Sequence, residues 1–243
     1  MFTPKRGWMK RERQAEIMDD AALDSRLHLQ ALRGLRRVNF WSNTARTFWR
    51  PIREFAAESA QPLKILDLAT GGGDVPLSLW HLDQARCRRL AQSMPGKVSI
   101  SGCDKSDVAI EYAAARAKEA GAAIQFFTAD VLQEVPSGYD ILMSSLFFHH
   151  LDPEQVVLLL SRMKQARLVL VSDLLRSRSS LALTYVATRL LSRSHVVHVD
   201  GPRSVHAAYT MDEMQSLARE AGLHGARFQS VWPYRMLMCW RRS

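Results

Sequence analysis

Apolar positions return along this chain with two different periods. Between residues 19 and 55, Leu23, Leu27, Leu32, Leu35, Val38, Phe48, Ile52 and Phe55 recur at roughly helical spacing. This predicts two helices with a break around 39–43, and Pro51 opening a further turn. Residues 1–15 read as frayed or weakly helical. After residue 62, short apolar runs alternate with amphipathic stretches. Strands are predicted at 64–68, 97–102, 123–127, 139–143 and 167–171, and helices at 76–91, 106–120 and 153–164. No helix fits between the third and fourth strands. Helices at 179–191 and 211–221, the second capped by Thr210, and closing strands at 227–231 and 235–240 complete the pattern. Such alternation builds an α/β fold, a mostly parallel sheet with helices on both faces.

Length and composition narrow the class. A chain of 243 residues suits one α/β domain with some decoration. No apolar run approaches the ~18 residues needed to cross a bilayer, so no transmembrane segment is expected, while peripheral membrane contact stays open. Lys5, Arg6, Lys10, Arg11 and Arg13 crowd the N-terminus and leave no apolar signal core. Cys87, Cys103 and Cys239 are odd in number and far apart, with no C-x-x-C pair. They read as reduced thiols of a cytosolic protein, not a disulfide frame or zinc site, and no metal is expected. Of the net charge of +9, +6 falls before residue 57. That segment reads either as a solvated helical face or as a nucleic-acid or anionic-membrane contact. Basic and acidic residues are mixed there without an aromatic stacking platform, which disfavours nucleic acid. Oligomeric state is not legible.

The segment Leu63-Lys-Ile-Leu-Asp67-Leu-Ala-Thr-Gly71-Gly72-Gly73-Asp74 is a strand, an acid, a glycine-rich turn and a helix start. Without side chains at Gly71 and Gly73, a polar cofactor can lie directly on backbone. A dinucleotide fingerprint would need a third glycine where Pro76 stands. Asp74 also places an anion at the helix N-terminus that a pyrophosphate would occupy. NAD, FAD and ATP are therefore disfavoured.

Ligands of such sheets bind outside the carboxyl ends of the strands. The second strand ends at Asp104, followed by Lys105; a carboxylate there can accept both hydroxyls of a ribose. The third ends before Asp130-Val131, where a carboxylate can accept from an adenine amine. The fourth runs through Ser144 and Ser145 to Phe147-Phe148-His149-His150-Leu151.

Together these residues resemble the class I S-adenosylmethionine-dependent methyltransferases, over roughly residues 62–243. The resemblance implies a Rossmann-like, doubly wound, seven-stranded sheet, with residues 1–61 as an N-terminal helical lid and an acceptor-pocket insertion at about 179–210. It implies S-adenosyl-L-methionine as cofactor and S-adenosyl-L-homocysteine as product. The D-x-x-x-G-x-G turn of Asp67, Gly71 and Gly73 would cradle the methionine and ribose parts. Asp104, with Lys105 beside it, would take the ribose, and Asp130 and Val131 would frame the adenine. Ser145 joins the set at the end of the fourth strand. Ala69 stands where the family usually has glycine.

The segment His149-His150-Leu151 is similar to one in small-molecule methyltransferases of the quinone and polyketide type, and residues 200–210 look like a segment of their bacterial members. Transfer from a sulfonium is an in-line displacement that rests on positioning and water exclusion. A phenol with a pKa of about 10 gains from a base, and histidine titrates near 6.5. His149 and His150 are thus candidate catalytic residues, as base or as orienting groups; alternatively they pack and cap the loop. Trp49, Arg50, His198, Arg203 and Tyr209 are candidates to bind the acceptor. The chain lacks the N/D-P-P-Y/F segment of amino-methylating nucleic-acid enzymes, a Pro-Cys nucleophile, and the paired glutamates of arginine methyltransferases. The expected function is methyl transfer to a small aromatic or polyketide-like acceptor, through a phenolic hydroxyl. The alternatives are an RNA methyltransferase using the basic N-terminal region, and a protein that binds the cofactor without chemistry.

Overall fold

The computed structural model describes residues 9–20, 22–89 and 98–242. Expectations for residues 1–8, for the helix end at 90–91 and for a strand start at 97 lie outside those residues. Two helices, α1 (Ser25–Trp41) and α2 (Thr44–Ala57), precede an alternation of β1 (Leu63–Leu68), α3 (Asp74–Arg89), β2 (Val98–Asp104), α4 (Asp107–Glu119) and β3 (Ile124–Thr128). Then follow β4 (Ile141–Ser145), α5 (Pro153–Met163), β5 (Leu168–Leu174), α6 (Arg178–Leu191), α7 (His195–Ala207) and α8 (Met211–Glu220). An antiparallel pair, β6 (Arg227–Val231) and β7 (Arg235–Arg241), closes the chain.

The seven strands lie in the order β3-β2-β1-β4-β5-β7-β6. Strands β1 to β5 are parallel, and β7 runs antiparallel to β5 in the register Ser172↔Leu237. The order reverses between β1 and β4, so the connections leave in opposite directions and open a crevice at the carboxyl ends of those strands. Ser144 Oγ ties the two strands there by donating to the Leu68 carbonyl at 3.0 Å.

Both faces of the central strands are apolar, as a sheet covered on two sides requires. Leu66, Leu68, Leu142, Val169 and Val171 pack with Val156, Leu159 and Leu160 of α5 and Met214 of α8. Ile65, Ile141, Met143, Leu168 and Leu170 form the other layer.

That second layer corrects the expectation of an N-terminal lid separate from the domain. Phe48, Ile52 and Phe55 of α2 are buried in it with Val75 and Leu79 of α3. Their i, i+4, i+7 spacing presents one stripe to the sheet, so α2 is a core helix and only α1 and the segment before it lie over the crevice. Burial of this stripe also explains why Pro51 sits inside α2 without ending it, although proline costs a backbone hydrogen bond. The break between the helices is narrower than expected: Ser42 closes α1, and Asn43 at φ 56° opens α2. Another correction falls at α7, which the dipeptide Gly201-Pro202 hid from the sequence pattern. Val196, Val197 and Val205 are buried along it, and the helix continues through Pro202.

Candidate functional site

The turn after β1 is shaped by short-range bonds. Ala69 has φ +53°, which explains why glycine suits this position, and Thr70 N–H donates to the Cys103 carbonyl at 2.9 Å. Gly71 N–H donates to Asp104 Oδ2 at 2.8 Å, and Ser106 N–H to Asp104 Oδ1 at 2.9 Å. The Asp104 carboxylate thus staples the ends of β1 and β2 together while facing the crevice. Arg116 of α4 clamps the far side of the turn, donating to the Gly72 carbonyl at 2.7 Å and pairing with Asp74. Asp74 is therefore an anion at the start of α3 whose charge is answered within the protein.

The two glycines of the turn have different reasons to be glycine. A side chain at Gly71 would meet nothing within 4 Å, so its open side is a cradle. A side chain at Gly73 would press on Phe126 Cζ at 2.8 Å and Ala113 Cβ at 2.9 Å. The expectation that Gly73 clears space for a ligand is corrected: it clears space for packing against β3 and α4.

Asp67 lies beneath the turn, 1% exposed. Its Oδ2 accepts from Thr70 Oγ1 at 2.7 Å, while Oδ1 has no hydrogen-bond partner among the described residues. Burial pushes this carboxyl up to about 7, against the pull of the Thr70 hydrogen bond. A buried acid with one unused oxygen under an open cradle fits a ligand that brings a positive group.

A cavity of ≈ 180 Å³ gathers the strand ends. Ala69, Gly71, Asp104, Lys105, Asp130, Val131, Ser145 and His150 all line it, while Asp67 and Gly73 sit behind its wall. Asp130 also caps its own turn, accepting from Leu132 N–H at 2.9 Å and Gln133 Nε2 at 3.2 Å. Lys105 faces Asp19 at 3.7 Å. A larger cleft of ≈ 890 Å³, lined by Phe40, Trp41, Arg46 and Trp232, adjoins Asp74 but holds none of the acids ending β1, β2 and β3. The chemistry therefore points to the smaller cavity.

The histidine pair divides. His149 is 3% exposed and turned inward: its Nδ1 lies 2.7 Å from Asp173 Oδ1, and its N–H donates to Asp173 Oδ2 at 3.0 Å. Burial would raise the Asp173 carboxyl, but His149 and the backbone N–H groups of His149 and Leu174 hold it below the usual range. His150 stacks on Phe147 and lines the cavity, its Nδ1 2.8 Å from Asp19 Oδ2. Burial alone would lower the His150 ring, yet the Asp19 hydrogen bond and the charges of Glu16 and Asp173 push it up to about 9. The acidic neighbours thus favour the charged form of the His150 ring over a free base.

Those neighbours come from residues 9–20, a strap with no helix beyond the single turn Ile17–Asp19. Arg11 donates to the carbonyls of Ala207 and Leu151 at 2.6 and 2.8 Å, and Arg13 pairs with Asp152 at 2.7 Å. Asp200 of α7 accepts from the backbone N–H groups of Ile17 and Met18 at 2.9 and 3.0 Å.

The five residues expected to bind the acceptor are not brought together. Trp49 packs against the core layer under α2, and Arg50 is exposed and paired with Glu54 at 3.0 Å. His198 holds the Ser192 carbonyl at 2.8 Å, and Arg203 donates to the Ala15 carbonyl at 3.0 Å. Tyr209 is buried beneath the Arg11 guanidinium, its hydroxyl donating to the Leu151 carbonyl at 2.8 Å. Each is spent on structure. In their place the walls use Glu16, Met18, Asp19, His28 and Leu32. Asp173 was also missed, although an acid near the end of β5 was a signal available in the sequence; Glu16 and Asp19, in irregular chain, carried none.

A family model described as a methyltransferase domain matches residues 65–167. No curated protein matches the chain in sequence. Among solved structures, human N-acetylserotonin methyltransferase with S-adenosylmethionine is similar at a TM-score of 0.58 and 16% identity, covering 90% of this chain and 56% of that one. Magnesium protoporphyrin IX methyltransferase from Synechocystis with bound S-adenosylhomocysteine matches at 0.55 and 16% identity, covering 83% of each chain. The pyocyanin biosynthetic protein matches at 0.51 and 18%, covering 75% of this chain and 51% of that one. The chain spans about half the length of the first solved structures it resembles.

Proposed function

We propose that the protein transfers a methyl group from S-adenosylmethionine to the hydroxyl of a small aromatic or polyketide-like acceptor, a reading supported by the methyltransferase-domain model that matches residues 65–167 and by the sheet order shared with methyltransferase structures. One observation carries this reading: the ends of β1 to β4 and His150 line a single cavity at the point where strand order reverses. When bound, the cofactor supplies an electrophilic methyl group on a sulfonium. The residues present suit it. Gly71 leaves backbone open, Asp67 keeps an unused buried oxygen for an ammonium, and Asp104 and Asp130 offer carboxylates to ribose and adenine. The acids also favour a cationic ligand over a phosphate.

On the acceptor side, Asp173 fixes the His149 ring through Nδ1, and His150 lines the cavity beside it. Phe147, Leu146 and Met18 offer apolar contact to a ring and exclude water. Two of the similar structures are a putative O-methyltransferase from Nostoc punctiforme and the mitomycin 7-O-methyltransferase, which supports oxygen as the methylated atom. Arg11 and Arg13 are consumed by internal carbonyls and by Asp152, which supports a small acceptor over RNA. The cysteines lie as free thiols, which supports a reducing, cytosolic setting, and no helix among the described residues is long and apolar enough to cross a membrane.

Calorimetry with S-adenosylmethionine and S-adenosylhomocysteine, using NADH and ATP as controls, tests the cofactor. Selective binding, weakened roughly 10–100-fold by Asp104→Ala as a lost charge-assisted hydrogen bond requires, is expected, followed by turnover in a screen of phenols. Absence of binding by folded protein overturns the reading.

A further inference from the structure

Glu16 of the strap reaches both histidines at once. Its Oε1 lies 3.6 Å from His149 Nε2 and its Oε2 lies 3.8 Å from His150 Nε2. Both separations exceed hydrogen-bond length, and neither Nε2 has a hydrogen-bond partner among the described residues. The three groups offer ligand atoms within 4.8 Å of one another. Two ligands that each stand about 2.1 Å from one ion lie roughly 3.4 Å apart at a tetrahedral angle, and further apart as the angle widens. The gaps around Glu16 have that size.

We propose that Glu16, His149 and His150 form a site for a divalent first-row metal ion, with zinc as the type, whose open coordination position faces the cofactor cavity.

The surroundings are those of a metal site. A ligating histidine nearly always gives its other ring N–H to a carboxylate, which fixes the tautomer and turns the free nitrogen to the ion. Both rings here do so, His149 to Asp173 at 2.7 Å and His150 to Asp19 at 2.8 Å. The carboxylate is positioned as well: Ser204 Oγ donates to Glu16 Oε1 at 2.6 Å, and Asp200 anchors the next two residues of the strap. The side chains of Glu16 and His149 are at most 9% exposed, and His150 is the most open of the three at 21%. Glu16 and His150 line the cavity and His149 does not, so the vacant side of the site is toward the ligand. Two nitrogens and one carboxylate are the donor set of three-ligand zinc and related sites that keep a position for water or substrate. The assignment of that position to an acceptor hydroxyl rests on the methyl-transfer reading; binding of the ion does not. Nothing in the local sequence announces the site, because Glu16 and the histidines are far apart along the chain.

The test uses the untagged full chain, stripped with a chelator and titrated with Zn²⁺ by calorimetry and Co²⁺ by visible absorption, with S-adenosylhomocysteine binding measured on each sample. One equivalent of Co²⁺ should bind with the intense ligand-field bands of a low-coordinate site. Glu16→Gln and His150→Gln should each abolish those bands, and Asp19→Asn, which removes charge behind His150, should weaken binding about 10–100-fold. No saturable Co²⁺ binding by protein that still binds S-adenosylhomocysteine overturns the metal site and leaves methyl transfer standing. Unchanged Co²⁺ affinity in both Glu16→Gln and His150→Gln overturns it as well. Co²⁺ binding without S-adenosylhomocysteine binding supports the site and removes the methyl-transfer reading.

Discussion

The two walls of the cavity are assembled differently. On one, Thr70 holds Asp67 three residues away, and Asp104 reaches the neighbouring strand to hold Gly71. On the other, Glu16 and Asp19 are held by Ser204 and His150, and Ile17 and Met18 between them by Asp200 of α7, partners more than 130 residues away along the chain. The first wall is a local turn stiffened by backbone; the second is a strap held by segments distant in sequence. A site built this way can keep one cofactor cradle while its acceptor wall changes, because few residues of the strap take part in the turn.

The comparison is tested most sharply at the anchor of the strap. Arg176 is buried, pairs with Glu213 at 2.7 Å and donates to the Met9 carbonyl at 2.7 Å. Arg176→Met should cost about 2–3 kcal/mol, toward the low end for a broken buried pair because Glu213 is partly exposed. Thermal unfolding should shift down by roughly 5–10 °C, and trypsin should cut sooner at Arg11 and Arg13. An unshifted transition would show that the strap is not coupled to global stability.

On the turn, Gly73→Ala should destabilise by about 1–3 kcal/mol, since the new carbon meets Phe126 and Ala113. Gly71→Ala should cost only about 1 kcal/mol of stability, from its φ of +53°, while losing most cofactor affinity. Denaturant midpoints beside calorimetry separate the two, and equal effects on both readouts would erase the distinction between cradle and packing glycine.

Asp67 supplies a pH signature. Its folded carboxyl lies near 7, above the ordinary 3.8, so the native state holds a proton across that window which the unfolded chain has released. Stability of the cofactor-free protein should therefore fall as pH rises from about 4 to 7, by at most about 1.4 kcal/mol per unit, and level off above. Asp67→Asn should lack this component and be the more stable protein at pH 8, yet bind cofactor more weakly. Parallel pH–stability curves for the two would remove the burial argument. The smallest effect belongs to Arg13→Ala, whose pair with Asp152 is nearly half exposed: at most about 1 kcal/mol in a melt, and less in high salt.

The regular elements and the cofactor wall were legible because their causes are local. Apolar runs mark strands buried on two faces, and acids at strand ends follow from the alternation itself. Helix α7 was hidden by Gly201-Pro202, since buried valines outweigh the proline only once α7 has a surface to pack on. Trp49, Arg50, His198, Arg203 and Tyr209 had the right chemistry for an acceptor, but residue type does not say which way a side chain turns. His149 and His150 are adjacent in sequence, and only tertiary placement makes one a buried partner of Asp173 and the other a cavity-lining neighbour of Asp19.

By itself, then, the sequence determined the alternating α/β order, the glycine turn with Asp67, and the carboxylates at Asp104 and Asp130, because each depends on residues within one turn or one strand end. Tertiary structure alone decided that α2 belongs to the core, that the strap crosses the cavity, and that Glu16 meets both histidines. Those outcomes depend on contacts between segments that only the folded sheet brings within reach, and no spacing along the chain encodes them.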